Sequence, residues 1–278
     1  MLYSVACDMR AGDMRAGDML AGPFVVYLEQ WEYQMRECSK SISRRLGDPR
    51  FARNYFVGDG VDIGGKPDPL SLYQELFPLM TSVRTWDWED GDAEFMQGVP
   101  DSAFGFVFAS HCLEHLGDPR VGLTNWLRIL KPGGHLIITI PDEDLYEQGR
   151  FPSTFNRDHK WTFTISKARS WCEKSINVVD LVKELGAEAD VRKIELLDTG
   201  YRYALPRFDQ SLTPIAECAI EFIVRKRLPV EIEAGGPMPS NAQPPASMRL
   251  HLNQYRNDQK TLRAANATQP PFVDDSVI

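Results

Sequence analysis

Apolar, strand-like segments alternate along this chain with stretches long enough for a helix, and this alternation constrains the fold more than any other feature. Four such segments span residues 60–63, 82–86, 103–109 and 135–140, and turn residues follow each of them. Residues 120–130 have the length and pattern of a crossover helix. Strands that alternate with helices in this way indicate a parallel sheet with helices on both faces.

The later part of the chain predicts a different ending to the sheet. Residues 176–185 are a predicted helix closed by Gly186, and residues 191–197 and 218–224 are predicted strands. Because no crossover helix joins these two strands, we expect an antiparallel pair at one sheet edge. The predicted fold class is therefore α/β and Rossmann-like, a mostly parallel sheet with helices on both faces and an antiparallel edge pair.

The two ends of the chain differ in composition from the middle. Residues 8–22 repeat DMRAG, DMRAG and DMLAG, and the last 50 residues are rich in Pro, Gly, Ala, Ser, Gln and Asn. Either the N-terminal helix or the tail would be the route to a homo-oligomer. The predicted parts are a flexible leader (1–22), an N-terminal helix and lid (23–46), one main domain (47–229) and a tail with a short helix at 248–265 (230–278).

Charge and cysteine usage exclude several classes of function. Asp and Glu number 39 against 31 Lys and Arg, a net charge of -8, which argues against a nucleic-acid partner. No apolar stretch approaches the roughly 18 residues that span a bilayer, and the N-terminus has no apolar signal core. The five cysteines are scattered without a CxxC pair. We predict a cytoplasmic protein with reduced thiols and no membrane span.

Residues that directly follow strands carry the chemistry, because ligands of an open parallel sheet bind at the carboxyl ends of its strands. The first strand runs into residues 62–65, DIGG, where paired glycines let the backbone approach a ligand closely. Asp87 ends the second strand and either accepts hydrogen bonds from a ribose or is a solvated turn aspartate. Asp92 either accepts from an adenine amine or is the N-cap of a helix over residues 94–96.

The third strand carries the densest group of ionisable residues. Its apolar run leads into residues 110–116, SHCLEHL, which place three ionisable side chains within five residues. Such groups are costly near a core unless they have a purpose. Residues 130–135, LKPGGH, then form a helix stop and a tight turn into the fourth strand.

In order and spacing, these motifs resemble a class I S-adenosylmethionine-dependent methyltransferase over residues 58–165, of the branch common in small-molecule and cell-surface glycan metabolism. The resemblance implies S-adenosylmethionine as cofactor and S-adenosylhomocysteine as product. It assigns the methionine part to the glycine turn, the ribose to the acid after the second strand, the adenine to the Asp-Ala pair, and the sulfonium end to Ser110 and His111. The cofactor-binding residues that follow are Asp62, Gly64, Gly65, Asp87, Trp88, Asp92, Ala93, Ser110 and His111.

Two departures from the family pattern bear on these assignments. Residues 66–68, KPD, stand where the family usually has further glycines. Asp92 follows Asp87 by five positions, where a helix and a third strand commonly intervene. We expect a sheet shortened by one crossover, because residues 69–80 already supply a helix ahead of the second strand.

Residues 111–115 also fit HxxEH, a zinc-hydrolase pattern in which two histidines on one helical turn bind the metal. That chemistry needs the motif inside a helix, whereas a strand leads into it here and no third ligand is evident. We therefore predict no metal.

Methyl transfer needs an aligned acceptor and a group that removes its proton, and histidine suits that role near neutral pH. The predicted catalytic histidines are His159 first, then His111, then His115, although His115 beside Glu114 is also explained as scaffold. We expect the segment 200–214 to select the acceptor, with Arg202 and Arg207 favouring a phosphate or carboxylate.

The predicted function is methyl transfer from S-adenosylmethionine to an oxygen or nitrogen of a small-molecule or glycan-derived acceptor. The alternative is a catalytically silent methyltransferase-like module that binds cofactor or a partner protein, suggested by the missing glycines and the long tail.

Overall fold

The structure is a computed structural model and describes residues 37–237. The predicted leader, the first part of the predicted lid helix, and the tail helix at 248–265 lie outside these residues. The described residues up to Ile232 belong to one compact unit. Among the helices of residues 37–237, none is both long and apolar enough to cross a membrane.

The helices and strands follow the predicted alternation closely. The helices are α1 (Glu37–Gly47), α2 (Pro119–Ile129), α3 (Val178–Glu184) and α4 (Pro229–Glu233). The strands are β1 (Gly58–Ile63), β2 (Met80–Trp86), β3 (Phe104–Ser110), β4 (Leu130–Pro141), β5 (Thr162–Thr164), β6 (Ser175–Asn177), β7 (Ala189–Leu197) and β8 (Ala219–Lys226). Short helical turns cover Phe51–Tyr55, Leu70–Leu76, Leu113–His115, Glu143–Glu147, Gly186–Glu188 and Gln210–Leu212.

Six strands form one sheet in the order β2-β1-β3-β4-β8-β7, and β5 pairs with β6 in a second, parallel sheet. The first four strands of the main sheet are parallel, whereas β8 pairs antiparallel with both β4 and β7. The predicted Rossmann-like α/β class, with its antiparallel edge pair, is confirmed. The shortened sheet is also confirmed, because residues 87–103 make turns and no strand between β2 and β3.

Alternate residues of the central strands point to opposite faces, and each face is covered by helices. On one face, Val107 and Ile138 pack with Leu123 and Trp126 of α2 and with Leu181 of α3. The opposite face packs against α1 and the turn after it, and its residues include Cys38, Ile42, Phe51, Phe106, Phe108 and Ile137. Burial of large apolar side chains on both faces therefore fixes the strand register.

A buried ion-pair cluster anchors α1 to the sheet, and we call Glu221, Arg44, Arg45 and Lys193 the Glu221 cluster. The Glu221 side chain is 0% exposed, and its oxygens accept hydrogen bonds from Arg44 (2.9 and 3.2 Å), Arg45 (3.3 Å) and Lys193 (2.9 Å). Burial acts to raise the pKa of Glu221, but the three cations outweigh it and lower the pKa to about 2. The carboxylate is therefore charged and fully paired.

Candidate functional site

The turn after β1 combines a buried carboxylate with two glycines. Gly64 has a φ of +74°, and a Cβ on Gly65 would lie 2.3 Å from Asp62 Oδ2, so this turn requires glycine. Asp62 Oδ2 accepts a hydrogen bond from the Leu70 N–H at 2.7 Å, whereas its buried Oδ1 has no partner among the described residues. Burial raises the pKa of Asp62 to about 7. This carboxylate has an acceptor site free for a cationic ligand.

A pocket of about 110 Å³ opens at the carboxyl ends of β1 and β3. Glu37 and Cys38, at the start of α1, line its other side, and the predicted lid role of the N-terminal helix stays a prediction. Five of the predicted cofactor-binding residues come together in the lining, namely Asp62, Gly64, Gly65, Ser110 and His111.

Asp87, the residue predicted to bind the ribose, accepts two backbone hydrogen bonds in this structure. Asp87 Oδ2 accepts from the Lys66 N–H at 3.2 Å, and Oδ1 accepts from the Trp88 N–H at 2.8 Å. The carboxylate therefore braces the glycine turn in this structure. The Trp88 side chain is 94% exposed. Neither residue lines the pocket, and their roles toward a cofactor stay predictions.

The predicted adenine pair lies in the turns between β2 and β3. Asp92 Oδ1 accepts from the Glu94 N–H at 2.8 Å, but residues 93–98 form turns and not the helix that Asp92 was predicted to cap. The Ala93 carbonyl accepts from the Trp126 indole at 2.8 Å and ties this segment to α2. Asp92 is exposed, so its carboxylate can also reach a ligand, and its adenine role stays a prediction.

His111 directly follows β3 in an unusual backbone conformation and lines the pocket. Its φ is +53°, and its N–H donates to the Thr139 carbonyl at 2.9 Å. The buried ring lies between two carboxylates, with Nε2 3.6 Å from Glu37 Oε2 and Nδ1 3.3 Å from Glu114 Oε1. Burial acts to lower the pKa of His111, but Glu37 and Glu114 outweigh it and raise the pKa above its ordinary value.

The three predicted catalytic histidines meet around one carboxylate, and we call Glu114, His111, His115 and His159 the Glu114 cluster. His115 Nε2 and His159 Nε2 each lie 3.9 Å from Glu114 Oε1. The Lys160 N–H donates to the Glu114 carbonyl at 2.9 Å and fixes the loop that carries His159. The Glu114 side chain is 0% exposed and that of His159 1%, whereas that of His115 is 30% exposed.

The Glu114 carboxylate is charged, and its nearest partner is His111 Nδ1, 3.3 Å from Oε1. Burial acts to raise its pKa, and the neighbouring histidines outweigh this and lower the pKa below its ordinary value. Neither carboxylate oxygen of Glu114, nor Nε2 of His159, has a hydrogen-bond partner among the described residues.

Two carboxylates at the site were missed from the sequence. The sequence pattern indicates Glu114 only as a scaffold partner of His115 and does not indicate Glu147, whose Oε1 lies 2.8 Å from His159 Nδ1. The signal was present, because residues 142–147, DEDLYE, place four acids directly after β4 at the same sheet edge.

The predicted acceptor-selecting segment lies against the loop that carries His159. Arg207 Nη2 donates to the Glu147 carbonyl at 2.9 Å and to Thr154 Oγ1 at 2.7 Å, and its guanidinium lies 4.2 Å from the Phe155 ring centre. Arg207 thus holds the loop that carries His159. Of the two predicted acceptor-binding arginines, Arg202 is the one whose side chain is exposed.

The HxxEH motif does not have zinc-hydrolase geometry. His111 belongs to a strand end and His115 to the single helical turn Leu113–His115, so the two histidines do not share a helical turn. The group that comes together instead is Glu114, His115 and His159.

Comparison with known proteins supports the methyltransferase resemblance. Residues 71–138, about a quarter of the chain, match the model of the family described as a methyltransferase domain. No curated protein matches the chain in sequence. The match, together with the Rossmann-like sheet, supports a class I methyltransferase and implies S-adenosylmethionine as its cofactor.

Solved structures with similar folds include several methyltransferases. A methyltransferase from Aquifex aeolicus is 13% identical, with 72% of this chain and 96% of that chain covered and a TM-score of 0.44. One from Clostridium acetobutylicum is 13% identical, with 74% and 97% covered and a TM-score of 0.41. The YcgJ protein of Bacillus subtilis is 15% identical, with 67% and 99% covered and a TM-score of 0.41. At these scores the likeness carries no conclusion about activity or acceptor.

Proposed function

We propose that the chain transfers a methyl group from S-adenosylmethionine to an oxygen or nitrogen of a small-molecule or glycan-derived acceptor. The observation that carries this proposal is the unpartnered, buried Oδ1 of Asp62 in a pocket lined by the Gly64–Gly65 turn and His111. A cationic amino group fits that oxygen, and the glycines leave room for close backbone approach. The acidic net charge of -8 disfavours a nucleic-acid acceptor.

The bound cofactor would supply a methyl group activated by its sulfonium. The acceptor's lone pair forms a bond to the methyl carbon in line with the C–S bond, which breaks with its electron pair left on sulfur. The residues of this chain have three tasks around that reaction. Asp62 and the glycine turn hold the methionine end, α1 excludes water above it, and a base takes the proton of the acceptor.

His111 is the base that the geometry favours. It lines the pocket, and Glu37 and Glu114 on either side of its ring would stabilise the positive charge that it gains. His159 does not line this pocket, because Glu114 lies between it and His111. Its role as base stays a prediction.

The silent-module alternative is not favoured. Two features suggest it, the KPD sequence at 66–68 and the long tail, most of which lies outside the described residues. Residues 66–68 line a pocket together with Gly64 and Gly65, and the family match covers the segment that follows.

Calorimetric titration with S-adenosylmethionine and S-adenosylhomocysteine tests the cofactor half of the proposal. We expect one site per chain, and we expect binding to weaken at least tenfold in Gly65→Val, whose side chain would collide with Asp62. Gly47→Ala is the matched control, since a Cβ there meets nothing within 4 Å. Absence of binding by the folded wild-type chain would contradict the proposal.

Transfer of labelled methyl groups to a panel of acceptors tests the other half. The panel contains sugars and small molecules with hydroxyl, carboxylate or amine groups, together with RNA, DNA and protein. We expect label in a small molecule or sugar, and slower turnover in His111→Gln. Label confined to nucleic acid or protein would overturn the acceptor class.

A further inference from the structure

Three metal-ligating atoms converge beside the proposed cofactor pocket. One ligand atom each from Glu114, His115 and His159 lie within 4.8 Å of one another. Both histidines direct Nε2 toward Glu114 Oε1, at 3.9 Å in each case. In a tetrahedral zinc site with bonds of about 2.0–2.1 Å, ligand atoms lie about 3.3 Å apart. Each histidine nitrogen would therefore move roughly half an ångström closer to Glu114 Oε1, and the two histidine nitrogens, which lie within 4.8 Å of each other, would approach to about 3.3 Å around one ion.

The opposite nitrogen of each histidine is held by an acceptor. His159 Nδ1 lies 2.8 Å from Glu147 Oε1, and His115 Nδ1 lies 3.2 Å from the Asp158 carbonyl. When Nδ1 carries the proton and donates it to these acceptors, the lone pair of Nε2 is free. Metal-binding histidines are oriented in this manner by a carboxylate or a carbonyl.

The two most buried residues of the three, Glu114 and His159, have metal-ligating atoms without a hydrogen bond. Glu114 and His159 have side chains that are 0% and 1% exposed, yet both Glu114 oxygens and His159 Nε2 have no hydrogen-bond partner among residues 37–237. A buried polar group left unpaired is costly, so it calls for an explanation such as a bound ion. Holding S-adenosylmethionine in the pocket at Asp62 uses none of these three atoms.

We propose that Glu114, His115 and His159 bind a divalent transition-metal ion of the Zn²⁺ type. Two imidazole nitrogens and one carboxylate suit zinc and its neighbours, whereas Mg²⁺ and Ca²⁺ prefer oxygen ligands throughout. Three protein ligands leave at least one coordination position open. In this assignment His159 is a ligand, which replaces its predicted role as base and the prediction that the chain binds no metal.

The open position has a use in methyl transfer, and this part of the inference rests on the proposed function. A hydroxyl or carboxylate oxygen of the acceptor is a suitable fourth ligand, and coordination lowers the pKa of a bound hydroxyl. His115 is the exposed member of the site, so an acceptor can approach from its side. His111 neighbours the site, with Nδ1 3.3 Å from Glu114 Oε1, and under the proposed function it is the base that takes the acceptor's proton.

Zinc titration of the full chain, after treatment with a chelator and dialysis, tests the binding site directly. We expect one Zn²⁺ per chain for the wild type and at least 100-fold weaker binding in Glu114→Gln and His159→Gln. Co²⁺ should give visible absorption bands in the wild type that both variants lack. His135→Gln is the matched control, since His135 is a buried histidine outside the cluster, and it should bind zinc as the wild type does.

Glu147→Gln tests the orienting carboxylate separately. Loss of such an outer partner weakens metal binding by about 10- to 100-fold, and circular dichroism should show an unchanged fold. If the wild type binds no more zinc than Glu114→Gln, or if His159→Gln retains wild-type affinity, the metal site is disproved.

Titration of the chelated wild type with S-adenosylhomocysteine separates this inference from the proposed function. Binding of the nucleoside without zinc binding would disprove the metal site alone, and the reverse would disprove the cofactor site alone. Where both bind, methylation of a hydroxyl acceptor should fall at least tenfold after chelation and return with Zn²⁺. An unchanged rate would overturn the role in acceptor binding.

Discussion

Glu221 and Glu114 are equally buried, but their carboxylates differ in the hydrogen bonds that they accept. Glu221 accepts hydrogen bonds from Arg44, Arg45 and Lys193, so each of its oxygens is paired. Glu114 has three histidines around it and no hydrogen bond to either oxygen. The side chains of both are 0% exposed.

The difference separates a structural cluster from a binding site. The Glu221 cluster joins α1 to β7 and β8 with donors in place for its carboxylate, so it needs no ligand. The Glu114 cluster lies at the carboxyl end of β3, where ligands of a parallel sheet bind, and it has acceptor atoms to spare. Burial of a charge thus indicates a ligand only where its pairing is incomplete.

The largest effect should come from neutralising each glutamate in turn. Glu221→Gln leaves the fully buried Arg45 without its carboxylate partner, and we expect the free energy of unfolding to fall by about 3–5 kcal/mol. Glu114→Gln removes the carboxylate that faces His111 Nδ1 at 3.3 Å but breaks no hydrogen bond, and we expect a smaller cost, about 1–2 kcal/mol, in metal-free buffer. Urea unfolding of the two variants beside the wild type measures both values.

The same unfolding experiment can be repeated with added Zn²⁺. Added Zn²⁺ should stabilise the wild type and Glu221→Gln and leave Glu114→Gln unchanged. Equal losses of stability for the two substitutions would show that the clusters do not differ as described.

The next largest effect concerns His135, which lies outside the Glu114 cluster, and the dependence of stability on pH. Burial, with Arg225 and Arg192 nearby, lowers the pKa of His135 to about 4. The unfolded chain takes up a proton near pH 6.5 and the folded chain only near pH 4, so stability is lost as pH falls through this window. The contribution is up to about 3 kcal/mol.

In His135→Gln we expect unfolding free energy to depend less on pH between 6.5 and 4 than in the wild type, as measured by urea titrations at several pH values. An identical pH dependence in both proteins would mean that His135 is not held neutral in the fold.

Asp62 gives the smallest effect and concerns the pocket. Its unpartnered oxygen is predicted to bind the cofactor's amino group, and Asp62→Asn should weaken S-adenosylhomocysteine binding about 10- to 100-fold, since such a bond is worth about 1.5–3 kcal/mol. Asp59→Asn, on the same strand but outside the pocket lining, is the control.

The predicted bond between Asp62 and the cofactor's amino group should also make the affinity depend on pH. Burial raises the pKa of Asp62 to about 7, and among its neighbours Arg45 acts to lower this pKa whereas Asp68 and Asp87 act to raise it. A cationic ligand favours the ionised carboxylate, so calorimetry should show affinity rising from pH 6 to 8 in the wild type and not in Asp62→Asn. Equal affinity of wild type and variant across this range would contradict the assignment.

Much of the fold could be predicted from local pattern. The apolar runs at β1, β3 and β4 and the turn residues behind them identify strands, and the missing crossover follows from the short interval between Asp87 and Asp92. Element ends moved by a few residues, as for α3, which begins at Val178 where residue 176 was expected. Residue 176 instead belongs to β6, because pairing with β5 outweighs the helical pattern there.

The candidate site could be predicted only in part. The glycine turn and His111 follow directly from strand ends, and the structure places them in one pocket. The environment of His159 does not follow from any motif, because Glu114 and Glu147 reach it from separate segments, 45 and 12 positions away. Spatial convergence of this type is set by how the loops pack, which spacing along the chain does not encode.

Anomalous diffraction at the zinc absorption edge, from crystals of the whole chain grown with S-adenosylhomocysteine and Zn²⁺, tests the contrast between the two clusters most directly. We predict a strong anomalous peak bonded to Glu114, His115 and His159, and none beside Glu221. No peak at the Glu114 cluster, or a zinc ion bound there without His159, would contradict the account.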